Sequence, residues 1–250
     1  RGFLKKMMSK KTSVLTILLS LVLVGILSGP ASLQVFAQDS TENLLQNPGF
    51  EGNFVPVGGD ELVQVGEGWL PWNLPPGQGV DSDRINVAPE YQPAPATRVL
   101  SGDNAQQYDT FFATHVGGIF QSVTLSEPGT LTFTANVYPY SSASFEDINT
   151  SVDPQGLEIS VGIDPSGGTD GNSPNIIWFT ASEYYDEFQE LSVTTTSTGT
   201  TVTVWIRSSI DPPGGLVGLH QVFIDDTALV FGEGDGTPTD TPTDEPTDEP

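Results

Sequence analysis

The sequence predicts an all-β domain, a β-sandwich or jelly roll, and three observations carry that prediction. Apolar and polar residues alternate in several runs, 27 Gly and 20 Pro punctuate the chain at short intervals, and no run as long as a dozen residues shows an apolar stripe at helical spacing. Successive side chains of a strand point to opposite faces, so strict alternation marks a strand with one face buried. Many short strands separated by turn formers build sandwiches and rolls.

Residues 1–37 read as a secretory signal peptide. Arg1, Lys5, Lys6, Lys10 and Lys11 precede the apolar run Val14 to Leu27, which ends at Gly29-Pro30 and the small-residue pattern Val35-Phe36-Ala37, with the cut expected after Ala37. The alternative is a permanent membrane anchor. The run is shorter than the ~20 residues that span a bilayer, so cleavage is preferred, and the mature chain is expected to be secreted, extracellular or at the cell surface, with no membrane contact.

Residues 38–232 are long enough for one domain with a sizeable core. Its first part, 53–97, has few alternating runs and many turn formers, among them Pro71, Pro75, Pro76, Pro93 and Pro95, and so reads as a long connection. Residues 106–115 set polar groups between apolar ones, which suits a strand lining a groove. Clear strands follow. Leu131, Phe133, Ala135 and Val137 alternate with Thr130, Thr132, Thr134 and Asn136; Leu157, Ile159, Val161 and Ile163 alternate with Glu158, Ser160 and Gly162. After a Gly- and Pro-rich loop from Asp164 to Pro174, a third strand sets Val202, Val204 and Ile206 against Thr201, Thr203, Trp205 and Arg207. Long loops in a small domain commonly carry function. Residues 233–250 are a Thr/Pro/Asp/Glu repeat with nothing apolar to bury, a disordered linker that leads to a further domain or toward a cell wall.

Charge and composition exclude several functions. The chain has 8 Lys+Arg against 32 Asp+Glu, and residues 38–232 hold 3 basic and 25 acidic groups. Phosphate neutralisation needs clustered Lys and Arg, so nucleic acid is no partner. With zero Cys there is no disulfide, thiol nucleophile or Cys-based metal site. No G-x-S-x-G elbow, G-x-x-x-x-G-K-[ST] loop or H-E-x-x-H helix occurs. No spacing singles out a carboxylate pair of the glycosidase kind. The segment reads as non-catalytic.

Four motifs occur in order: Asn43-Leu44-Leu45-Gln46-Asn47-Pro48-Gly49-Phe50-Glu51-Gly52, Gly68-Trp69, Gly118-Ile119-Phe120-Gln121-Ser122-Val123, and Val222-Phe223-Ile224-Asp225-Asp226-Thr227-Ala228-Leu229. Together they resemble the CenC-type carbohydrate-binding modules, over roughly residues 43–231. The resemblance implies a jelly-roll β-sandwich of galactose-binding-like architecture and a polysaccharide or oligosaccharide as partner. It also implies a structural calcium between the first loop and the last strand, with Glu51 and Asp225 as ligands; carboxylate and carbonyl oxygens suit such a hard cation. The alternative at those positions is that Glu51 caps its turn through backbone N–H groups.

A glycan site needs flat aromatics bordered by amide, carboxylate or imidazole groups, because a sugar ring has apolar C–H faces edged with hydroxyls. Trp69, Trp72, Tyr91 and Trp178 are the candidate aromatics, and Gln107 and His115 the candidate polar partners. Trp69 after Gly68 could instead be core, Trp205 could cover either face of its strand, and His115 could be a half-buried packing residue. Two readings of function stand beside the carbohydrate-binding module: a cell-surface structural or adhesion sandwich that binds protein, and a fragment of a multidomain glycoside hydrolase.

Overall fold

The alternating runs form strands, and the structure, a computed structural model, describes residues 42–76, 85–144, 149–210 and 218–232. The signal peptide expected over 1–37 and the linker expected over 233–250 lie outside the described residues. The strands are β1 (Phe54–Val57), β2 (Asp60–Gly66), β3 (Leu70–Asn73), β4 (Glu90–Pro93), β5 (Gln106–Phe111), β6 (His115–Thr124), β7 (Thr130–Ser142), β8 (Glu158–Asp164), β9 (Ile177–Thr180), β10 (Gln189–Thr196), β11 (Thr201–Ile210) and β12 (Leu219–Phe231). They make two sheets: a seven-stranded one ordered β1-β2-β4-β5-β12-β7-β10 and a five-stranded one ordered β3-β6-β11-β8-β9. The fold is a jelly-roll β-sandwich, as the sequence predicts. Among the described residues no helix is long and apolar enough to cross a membrane.

One prediction is corrected here. Residues 53–97, read as a long connection, contain β1, β2, β3 and β4. These strands are short and carry Pro56, Pro71 and Pro93 inside them. β1 and β3 lie at sheet edges, where a missing N–H costs no ladder bond.

The pleat sorts side chains between core and surface. Phe133, Ala135 and Val137 of β7 face Ile159, Val161 and Ile163 of β8 and Val202, Val204 and Ile206 of β11 across the interior, all buried in one cluster. Burying each large aliphatic or aromatic side chain contributes about 1.5–3 kcal/mol. The polar partners of the β7 alternation lie outside, where Thr132 and Thr194 hydroxyls meet at 2.8 Å across the β7–β10 pair.

The first motif anchors the chain end. Leu44 N–H donates to the Leu229 carbonyl at 2.8 Å, and Asn43 Nδ2 donates to the Thr227 carbonyl at 2.9 Å. Phe50 takes a left-handed backbone (φ 56°) that turns its ring into the core against Trp69, with centroids 5.4 Å apart. Such a conformation is uncommon for a bulky residue and persists only where packing imposes it.

Candidate functional site

The two half-buried tryptophans among the candidates, Trp72 and Trp178, come together on the outer face of the five-stranded sheet. Strand register explains how. Across the sheet, one row runs Leu70, Phe120, Trp205, Gly162, Trp178, and the adjacent row runs Trp72, Gly118, Arg207, Ser160, Thr180. Val204 and Ile206 point into the core, so Trp205 and Arg207 between and after them point out. Gly162 is where Trp178 lies down: a Cβ there would meet the indole Cε3 at 2.5 Å.

The result is an aromatic layer outside the main core. Phe120 stacks on Trp205 (centroids 4.6 Å apart, 24° between planes), and Trp72 meets Trp205 edge-on (5.9 Å, 85°). The Arg207 guanidinium carbon sits 4.1 Å from the Trp178 ring centroid, a cation–π stack. The loop after β8 folds over this layer. Arg207 Nη1 donates to the Gly171 carbonyl at 2.9 Å, and a Cβ at Gly171 would stand 2.8 Å from both Trp205 and Trp72. The loop's base is tied by Asp164 Oδ1, which accepts from Ser166 N at 2.8 Å and Ser166 Oγ at 2.6 Å. Trp205 Nε1 is buried there without a hydrogen-bond partner among the described residues.

The other sugar-site candidates lie elsewhere, and the expectation that they face a ligand is corrected. Trp69 is 3% exposed in the main core, its Nε1 donating to the Asn47 carbonyl at 3.3 Å. Tyr91 is equally buried, its hydroxyl donating to the Gly118 carbonyl at 3.0 Å; burial pushes that phenol well above its ordinary pKa. Tyr91 follows from β4, a strand that the loop reading of 53–97 missed, whereas Trp69 lies in the connection between β2 and β3 and packs inward against Phe50. Gln107 lies on the outer face of the seven-stranded sheet, where its Nε2 donates to Asp109 Oδ1 at 2.9 Å. Burial raises the Asp109 pKa, opposed by hydrogen bonds from Gln107 and Gln92.

His115 lies between the sheets in a buried polar chain. Its Nδ1 is 2.7 Å from Thr110 Oγ1, its Nε2 is 2.7 Å from Ser208 Oγ, and Ser208 Oγ also accepts from the Tyr108 hydroxyl at 2.9 Å. A serine beside a histidine invites comparison with a nucleophilic pair, but here the third partner is a threonine hydroxyl instead of a carboxylate. His115 and Ser208 are 0% and 1% exposed, so no substrate reaches them. Burial lowers the pKa of His115 to about 3 and of the equally enclosed His220 to about 4, from 6.5. The folded state thus resists protonation that the unfolded state accepts. Stability from these two residues is complete above pH 6.5 and falls as pH drops toward 4, by up to about 1.4 kcal/mol per pH unit for each histidine. Urea midpoints between pH 7.5 and 4.5 should show this slope, and His220→Gln should reduce it.

Glu51 and Asp225, the residues expected to hold calcium, both serve the loop 100–104. Glu51 Oε1 accepts the N–H groups of Asp103 (2.9 Å) and Asn104 (3.1 Å). Asp225 Oδ2 accepts those of Leu100 (2.9 Å) and Ser101 (3.1 Å), its Oδ1 accepts that of Asp226 (2.8 Å), and Ser101 Oγ donates to Asp226 Oδ1 at 2.8 Å. Among the described residues no group of three or more His, Cys, Asp or Glu side chains could hold a metal ion. The donor set around these two carboxylates is N–H, the reverse of what a cation requires. As placed they do not fit calcium, and Glu51 ties down the loop 100–104 and does not cap its own turn.

The residues that sequence reasoning left out of the site are Phe120, Trp205 and Arg207. A signal for the last two was present, since the inward run Val202, Val204, Ile206 assigns them to the opposite face.

No protein-family model matches the chain, and no curated protein sequence is similar to it. Solved structures are similar in fold. A family 61 carbohydrate-binding module in complex with β-1,4-galactotriose aligns with 16% identity and a TM-score of 0.47, over 77% of this chain and 100% of that one. A family 22 xylan-binding domain from Paenibacillus barcinonensis aligns with 13% identity and a TM-score of 0.41, over 78% and 97%. The two-module N-terminal part of a Clostridium thermocellum xylanase, complexed with xylohexaose, aligns with 12% identity and a TM-score of 0.41, and this chain spans only 29% of it.

Proposed function

We propose that residues 38–232 form a non-catalytic, extracellular carbohydrate-binding module whose glycan lies on the outer face of the five-stranded sheet, across Trp72 and the Arg207–Trp178 stack. The observation that supports this reading is the convergence of Trp72, Phe120, Trp178 and Trp205 from four strands on one sheet face, with a guanidinium among them. Core packing does not require aromatic rings there, because the main core is complete on the other side of these strands. A half-exposed indole beside fixed N–H donors suits the C–H faces and hydroxyls of a sugar chain. The motifs at both chain ends and the acidic, cysteine-free composition suit a secreted module of the CenC type. The linker at 233–250 suits attachment to a further domain or to the cell surface.

Burial of Trp69 and Tyr91 favours a second reading, a structural or adhesion sandwich that binds protein. A glycan array separates the two. Trp72→Ala should weaken the strongest glycan at least tenfold, about 1.4 kcal/mol, while leaving the circular-dichroism spectrum unchanged. Absence of binding to every glycan, with a protein partner captured through the same face, would establish the second reading.

A further inference from the structure

Among the described residues, the cation on this face has no anion. Arg207 is one of 3 basic residues against 25 acidic ones in residues 38–232. In so acidic a domain an arginine ordinarily finds a carboxylate. Among the described residues Arg207 makes one hydrogen bond, Nη1 to the Gly171 carbonyl, and one ring stack, on Trp178, and no ion pair. Its cross-strand neighbours are Gly118 and Ser160, neither charged. Glu158, beside Ser209 and so two positions along β8 from Ser160, is the carboxylate whose field reaches the guanidinium, without bonding to it. Burial disfavours the charged guanidinium, a cost that an ion pair would offset.

The surroundings are short of acceptors. A guanidinium has five N–H donors, and Arg207 uses one of them on the described residues. Trp205 Nε1 has no acceptor among the described residues. The hydroxyls of Ser160 and Thr180 in the same row satisfy each other at 2.9 Å. Because Arg207 covers one face of Trp178, what this part of the surface offers a ligand is a planar, donor-rich cation backed by an indole. That fork matches a carboxylate bidentately.

We infer that the glycan taken by this face is acidic, a polysaccharide carrying uronic acid residues, with a sugar carboxylate paired to Arg207. The inference rests on the glycan-binding reading above and specifies its substrate class. The domain's overall negative charge opposes a polyanion at long range, but that repulsion is screened beyond about 8 Å at physiological ionic strength, whereas a contact pair on a half-buried guanidinium is not. Low salt therefore gives slower association, and intermediate salt gives the clearest preference.

The experiment compares titration of the intact protein with galacturonate and glucuronate oligosaccharides and with the same oligosaccharides after reduction of their carboxyl groups to hydroxymethyl, in 0.15 M salt. The expected result is at least tenfold tighter binding of one acidic form over its reduced counterpart. Arg207→Gln should abolish that preference, and Arg207→Lys should restore only part of it because the fork is gone. Equal affinity for acidic and reduced chains would overturn the inference while leaving a glycan site in place. Binding of neither, with none on a broad glycan array, would remove both. Should Arg207→Gln fail to fold, the pair of oligosaccharides on the unmodified protein decides the question alone.

Discussion

Asp225→Ala is expected to destabilise the domain by about 3 kcal/mol. The carboxylate is fully buried and accepts three backbone N–H groups, two of them from the loop 100–104. Each buried donor left without an acceptor costs about 1–3 kcal/mol, and water entering the vacated space recovers part of that. Asp225→Asn should fall between, because one amide oxygen can still accept. Chemical unfolding followed by tryptophan fluorescence gives the numbers. The loss should be the same in chelator and in millimolar calcium, since what disappears is an acceptor of N–H bonds. A loss that vanishes in chelator would show that the carboxylate acts through a metal.

Trp205→Ala is expected to cost about 3–5 kcal/mol, in the range for a fully buried large aromatic side chain. The indole is 1% exposed, stacks on Phe120 and supports Trp72 edge-on. It also forms the floor on which Gly171 rests, so its removal should loosen the loop between β8 and β9. Hydrogen exchange at residues 166–176 reads that loosening separately from global stability. Exchange there as slow as in the unmodified protein would mean that the loop is held by its Asp164 base alone.

Alternation made the long strands legible. Thr130 to Val137, Leu157 to Ile163 and Thr201 to Arg207 announce β7, β8 and β11 because aliphatic residues occupy every second position in each. β1 to β4 are four to seven residues long, and β1, β3 and β4 contain a proline, so no period emerges. The candidate site divides in the same way. Trp72 and Trp178, with glycines and prolines near them in the sequence, are half-buried on an outer sheet face, whereas Trp69 and Tyr91 share those surroundings and point inward. Strand parity turns Tyr91 inward, and parity is unreadable in a strand not recognised as one; Trp69, between β2 and β3, is turned inward by its packing on Phe50. His115 illustrates a different limit. Its neighbours Thr110 and Ser208 are five and 93 positions away, and nothing local in the sequence announces a hydroxyl arriving from β11.

The hydrogen bonds that tie Asn43 and Leu44 to Thr227 and Leu229 bring the entrance and exit of the folded chain side by side. A domain whose ends meet can be inserted into a loop of another protein without parting the host's own chain. It can also be re-cut. Joining residues 43 and 231 through a short linker and opening the chain at the Gly58-Gly59 tip between β1 and β2 should yield a permuted domain with the same two sheets, because no strand pairing depends on which peptide bond is left open.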